Sequence, residues 1–257
     1  MTRWVRLRMS NTSEIDAVLA KLDEIVRACE STKDRLGYFA AMYRRVTRRV
    51  RQGILTGFFE DGSRMATLDR LFADRYFEAL ANFRSGGKVP EAWAVTFRTG
   101  QSQCAIILQH LLLGMNAHIY LDLGIAAAQV SQGQDYSALE GDFQRINTIL
   151  FEELNPTENK LGTLSPWIRI LDFTMGDIDE WLARQSLRCL RESAWEFGRR
   201  LTLLDRGQWE REIRERDSLA ACLGEFLVSP GLIERVAIGL VHLVEDHDVV
   251  RGIETLS

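Results

Sequence analysis

Residues that interrupt helices, and residues that staple or ligate, are scarce in this sequence. Only four prolines occur in 257 residues. Runs of alternating apolar and polar residues, the mark of a half-buried strand, are nearly missing, which argues against a β or α/β fold. The four cysteines, Cys29, Cys104, Cys189 and Cys222, are scattered, with no Cys-x-x-Cys pair and no histidine at zinc-finger spacing. That excludes a disulfide framework and fits a reducing, cytoplasmic setting. A basic excess is lacking too. The formal charge is −4, so no global attraction to nucleic acid or anionic lipid is expected, and such a partner would need a local patch. The first residues, Met1-Thr-Arg-Trp-Val-Arg-Leu-Arg, offer no apolar run for a signal-peptide core.

The common catalytic motifs are equally missing. There is no His-Glu-x-x-His, no Glu-x-x-His pair, no Gly-x-x-x-x-Gly-Lys-Ser/Thr loop, no Gly-x-Gly-x-x-Gly after a strand and no Gly-x-Ser-x-Gly. Zincins, ferritin-like di-metal oxygenases, the usual nucleotide loops and nucleophile-elbow hydrolases are thereby set aside.

What is present is core material. Hydrophobic residues make up 46% and charged residues 26%, as in an ordinary globular protein, and no linker splits the chain. Helix signals recur from end to end. They predict a single all-α domain over residues 1–257, a bundle of about eight to ten helices around one buried central helix at 104–130. Its companions are expected at 13–29, 33–55, 64–83, 89–97, 136–154, from Ser165-Pro166, and at 177–204, 208–227 and 232–255. Asp61-Gly62, Ser85-Gly86-Gly87, Asn155-Pro156 and Ser229-Pro230-Gly231 punctuate them. The 33–55 helix is amphipathic, with Phe39, Met42, Tyr43, Val46, Val50 and Ile54 on one side and five arginines from Arg44 to Arg51 on the other. No aromatic residue interleaves that stripe, so it reads as a solvated face neutralised by carboxylates rather than a base-stacking surface.

The informative stretch is Gln109-His110-Leu-Leu-Leu-Gly114-Met-Asn116-Ala-His118-Ile-Tyr-Leu-Asp122-Leu-Gly124. As a helix, 104–130 would reach about 40 Å, long enough for a membrane. Gln109, His110, Asn116, His118, Asp122 and Gln129 are too many polar groups for a lone lipid-facing span, so no membrane role is expected. His118 and Asp122 lie one turn apart and can touch or share a ligand. His110 precedes His118 by about 12 Å and is rotated by about 80°. One metal held by both imidazoles at about 2.1 Å would require Gly114 to bend the helix.

Three readings of this face stay open. The trio can satisfy itself within the core. His118 and Asp122 can ligate a divalent metal whose water becomes a nucleophile. Or Asp122 can orient His118 as a general base. His242 and His247, five apart and pointing in different directions, read as a solvated helix end.

The 109–124 stretch, together with Arg64-Met-Ala-Thr-Leu-Asp69-Arg-Leu-Phe-Ala-Asp-Arg75-Tyr76, Asp142-Phe-Gln-Arg-Ile-Asn147 and Leu164-Ser165-Pro166-Trp167, resembles the helical family catalogued as domain of unknown function 5995. The resemblance runs from about residue 38 to residue 253. It implies a helical fold and no particular activity or cofactor. It also points to His110, Asn116, His118, Asp122, Asp69, Asp142 and Asn147 as the positions that match the family pattern.

The expectation is therefore an enzyme acting on a small molecule by metal-assisted hydrolysis or general-base chemistry. His118 serves as base or metal ligand and Asp122 as its partner, with His110 and Asn116 lining the same cavity. Asp69 or Asp142 would be further ligands of a divalent metal. The alternative is a non-catalytic helical module that binds an apolar small molecule or a protein partner, its His/Asp cluster purely structural.

Overall fold

Apolar residues return every three to four positions along most of the chain, and each such stripe becomes the buried face of a helix. The computed structural model describes residues 12–164, 177–229, 231, 238–243 and 245–257, with side chains at all of these except 154–164 and 177–186. The described residues form ten α-helices and no strand. In chain order these are α1 (Ser13–Thr32), α2 (Gly37–Thr56), α3 (Gly62–Ser85), α4 (Glu91–Gly100), α5 (Ile107–Met115), α6 (Leu123–Val130), α7 (Glu140–Leu164), α8 (Asp177–Thr202), α9 (Arg206–Val228) and α10 (Val249–Leu256). A π-helical segment, Asn116–Asp122, joins α5 to α6, and a short 3-10 turn, Tyr136–Leu139, leads into α7.

Helix ends follow from local chemistry. α1 runs through Ser31 and Thr32, whose hydroxyls bond back to the Ala28 carbonyl instead of capping a second helix. Lys33 then adopts φ 54° and closes the turn. α3 starts where the Asp61 carboxylate accepts the Arg64 N–H. α4 is helix, with Pro90 at its N-cap. α7 continues past Asn155-Pro156 as far as Leu164, although the proline gives up one backbone donor. The helix start expected at Ser165-Pro166 lies outside the described residues. The last expected helix, 232–255, is interrupted: residues 238–243 are helical, 245–248 are not, and Asp248 caps α10 by accepting from Val250 and Arg251.

The central helix is real but begins three residues later than expected. Ile106 and Ile107 supply its first free amides. The Gln109 carboxamide accepts the Ile106 N–H at 3.1 Å, and both Glu245 oxygens accept the Ile107 N–H at 3.2 and 3.1 Å. By length and composition Ile107–Val130 would suffice to cross a membrane, but most of it is buried inside the bundle. α2, α4 and α9 surround α5; α3 and α8 surround α6; the π segment touches α3, α4, α8 and α9. The arginine face of α2 is a ladder of ion pairs. Arg44 and Arg48 reach Asp23, Arg51 reaches Asp16, and Arg45 and Arg49 reach Glu153 and Glu152.

α6 and α8 cross with their backbones in contact. A Cβ on Gly124 would stand 2.5 Å from the Ala194 carbonyl and 3.2 Å from the Gly198 nitrogen. Backbone cannot retreat as a side-chain tip can, so Gly124→Ala should destabilise the fold by about 3 kcal/mol despite its better helix propensity. Gly207→Ala, where nothing lies within 4 Å, should shift stability by less than about 0.5 kcal/mol. Urea denaturation of the two variants checks this, and equal effects would contradict the close crossing.

Candidate functional site

The site is organised by a carboxylate that water does not reach. Asp122, 0% exposed, ends the π segment. Its Oδ1 accepts from Arg75 Nε of α3 at 2.6 Å and its Oδ2 from Trp93 Nε1 of α4 at 2.7 Å. Burial opposes its ionisation, but Arg75, His118 and Trp93 together hold the carboxyl below its ordinary value. π segments recur at functional sites because they break the regular helix register.

His118 lies one turn before it. The imidazole stacks on Phe72 of α3 with ring centroids 3.5 Å apart and planes 7° from parallel, and Tyr43 of α2 meets its edge. Its Nδ1 stands 3.7 Å from Asp122 Oδ2, beyond hydrogen-bond reach. Neither ring nitrogen has a hydrogen-bond partner. Burial lowers its pKa and Arg75 adds to that, against the opposing pull of Asp122. At pH 7 the ring is neutral, with one nitrogen able to donate and the other to accept.

His118 and Phe72 form part of the wall of a cavity of about 230 Å³ between α2, α3, the central helix, α7 and α8. The wall is almost wholly apolar: Met42, Val46, Leu108, Leu112, Met115, Ile146 and Leu150 are representative. Besides His118 and Tyr43, the described residues of the wall include three polar side chains, Asp69, Glu153 and Arg191. Glu153 is paired with Arg45. Asp69 Oδ2 is buried without a partner, and burial pushes its carboxyl up to about 7. Arg191 of α8 is 4% exposed. Its Nε donates to Asn147 Oδ1, its Nη2 donates to the Phe143 carbonyl at 2.6 Å, and its guanidinium lies 4.4 Å from the Phe143 ring.

The residues expected to share one cavity are distributed over several places. Asp69 and His118 are brought together on its wall. Asn116, two positions before His118 and so on the opposite side of the helix, donates to the Ala220 carbonyl of α9 at 2.7 Å. His110 packs on Tyr38 in a separate small void, and burial lowers its pKa to about 4. Gly114 does not bend the helix towards it. Phe39 fills the space where a Cβ would be, and the π turn begins only at Asn116. Asp142 holds the loop before α3, accepting from the Glu60 and Asp61 amides at 2.7 and 2.8 Å. Asn147 reaches the cavity only through Arg191.

A metal on His118 and Asp122 finds no third ligand among the described residues. Among the described residues no group of three or more His, Cys, Asp and Glu could hold an ion. The Arg75 guanidinium, moreover, occupies the oxygen a cation would need. His242 lies at the end of the helical stretch 238–243 and His247 in the break before α10; the two rings do not diverge as their spacing implied but meet with centroids 4.6 Å apart, His242 half-buried and His247 exposed.

Arg191 was not legible as a site residue within an arginine-rich helix. The available signal was its position: it falls on the apolar stripe of α8 with Leu187, Ala194 and Trp195, a face where a solvated arginine has no place. Asp69 shows the same sign among Met65, Leu68 and Phe72 of α3.

The raised Asp69 value has a sign that can be tested. The folded carboxyl titrates near 7, the unfolded one near 3.8, so between these values the folded chain keeps a proton that the unfolded chain has lost. This contribution to stability is fully present below about pH 4 and disappears as pH rises through 7. The stability of the parent relative to Asp69→Asn should therefore fall by up to about 4 kcal/mol between pH 4 and pH 8. Glu245, raised to about 7 by its own burial, is common to both proteins and cancels. Urea midpoints across that range check the prediction, and parallel profiles would mean that Asp69 ionises freely.

No curated protein and no solved structure matches the chain. A family model does, over residues 15–230, a span that includes Asp69, His118, Asp122 and Arg191. With most of its length so matched, the chain belongs to the family of unknown function DUF5995.

Proposed function

We propose that this protein binds a small, largely apolar molecule in the cavity beside the central helix and holds a polar group of that molecule against His118 and Asp69. One observation carries the reading. Both His118 nitrogens and Asp69 Oδ2 are buried on an apolar wall with no hydrogen-bond partner. Each buried polar group left unsatisfied costs about 1–3 kcal/mol, and native folds rarely keep several together without use. A ligand with a hydroxyl, carbonyl or similar group would satisfy them. An engineered cavity of about 150 Å³ accepts benzene, so about 230 Å³ suits a molecule on the order of ten non-hydrogen atoms.

Binding without chemistry is favoured over hydrolysis by the composition of the wall. Among the described residues lining the cavity there is no serine, threonine or cysteine to attack a substrate. A second reading, general-base chemistry, draws on the His118–Asp122 pair: a neutral imidazole near a carboxylate is the arrangement that accepts a proton from a bound hydroxyl or water.

Isothermal titration with 1-octanol tests the proposal. It should bind saturably at one per chain, and Val46→Trp, which fills the cavity from α2, should abolish the heat while leaving helical circular dichroism intact. Organic extraction of freshly purified protein should release an apolar molecule of similar size. Absence of saturable binding by 1-octanol and by its charged analogues of equal chain length, or unchanged binding in Val46→Trp, would overturn the reading.

A further inference from the structure

Arg191 brings a positive charge into the cavity wall with nothing of opposite sign beside it. Its two hydrogen-bond acceptors, Asn147 Oδ1 and the Phe143 carbonyl, are neutral, and among the described residues no carboxylate pairs with it. The other charges around the cavity are settled. Glu153 is held by Arg45 at 2.6 Å and Arg49 at 3.3 Å. Asp122 is held by Arg75. Asp69 can shed its charge by taking up a proton, as burial favours. Arg191 has no such escape. Burial lowers its pKa to about 9, which leaves it cationic at neutral pH, and an uncompensated buried charge is among the most unfavourable features a core can hold.

We propose that the ligand is an amphipathic monocarboxylic acid of about ten non-hydrogen atoms, its carboxylate seated on Arg191, a second polar group such as a hydroxyl against His118 and Asp69, and its apolar body filling the rest of the cavity. The inference rests on the ligand-binding reading above and adds the chemical class. A guanidinium is a planar fork that matches a carboxylate. The charge count favours a monoanion, because among the described residues one free cation faces the space and a dianionic phosphate would be left half-compensated in an apolar wall. A hydrophobic amine fits less well. It could pair with Asp69, but it would add a second cation and leave Arg191 as it is.

Three ligands of equal chain length separate the possibilities: octanoate, 1-octanol and octylamine, titrated calorimetrically at pH 6, where a simple carboxylic acid is ionised and Asp69 is mostly protonated. The full-length protein should bind octanoate about ten- to a hundredfold more tightly than 1-octanol, the range expected of a charge-assisted hydrogen-bonded pair. Octylamine should bind more weakly than either. Arg191→Met should bring the octanoate to octanol ratio close to one, and Arg191→Lys should retain part of the preference. The selectivity of the unmodified protein decides the question even if a variant fails to fold. If 1-octanol binds and octanoate is no tighter, or if octylamine is preferred, the assignment of an acid is wrong while the ligand-binding reading stands. If none of the three binds saturably, that reading falls and the acid with it.

Discussion

The bond from Arg75 and Trp93 to the buried Asp122 carboxylate is the constraint on which the site depends. It ties the π segment to α3 and α4 together through two short hydrogen bonds in a medium of low polarity. Because Arg75 lies on α3, the same bond sets the register of that helix against the central one, and so places Phe72 under His118 and Asp69 on the cavity wall. It also explains why His118 is unengaged. Both Asp122 oxygens are already spent on stronger donors, and the imidazole is held by stacking instead, with its nitrogens available to something else. Taking away Arg75 would leave the Asp122 charge uncompensated in the core, a change of about 3–5 kcal/mol, whereas taking away the Trp93 N–H would remove one hydrogen bond to a charged group, about 1.5–3 kcal/mol. Stability and site geometry here have one origin.

Ionisable groups in this core meet burial in three different ways. Asp122 and Asp142 keep their charge through several donors at once. Asp69, Glu245 and His110 surrender theirs, the acids by holding a proton near pH 7 and the imidazole by refusing one until about pH 4. Arg191 does neither, since its intrinsic basicity is too high for neutralisation and its partners are neutral. The contrast is informative because all these groups are buried side chains of one bundle. Pairing and neutralisation are stable end points for a closed protein, whereas a lone guanidinium on a cavity wall is the state that the proposed carboxylate would complete.

Much of the helical architecture could be read from the sequence, because periodicity, caps and breakers are local. The central helix was visible from its all-round hydrophobicity, and the 109–124 stretch stood out because ionisable residues there needed an explanation. What periodicity could not supply was the neighbour each face would meet. His110, Asn116 and His118 looked like one cluster along a single helix, yet their directions send them to α2, α9 and the cavity respectively. The pairing of Asp122 with Arg75 spans 47 positions and that of Glu245 with Ile107 spans 138. No local pattern encodes such distances. The break at 245–248 was hidden for the same reason, since a helix that stops so that Glu245 can cap another helix answers to a remote demand.

The cavity bears on the fold as a whole. Interiors are packed close to crystal density, and unfilled volume costs about 24 cal/mol per Å³, so about 230 Å³ forgoes up to about 5 kcal/mol of packing. Domains of this kind are stable by only about 5–15 kcal/mol. A chain that gave up so much for no purpose could gain stability from a substitution as small as a larger aliphatic residue at Val46. Among the described residues the wall instead combines that space with an unpaired cation and four unpartnered polar atoms, His118 Nδ1 and Nε2, Asp69 Oδ2 and Tyr43 Oη, which an occupant of the right chemistry would satisfy as it filled the void. Occupancy and folding are thereby linked: the ligand that fits this cavity best is also the group that completes the core.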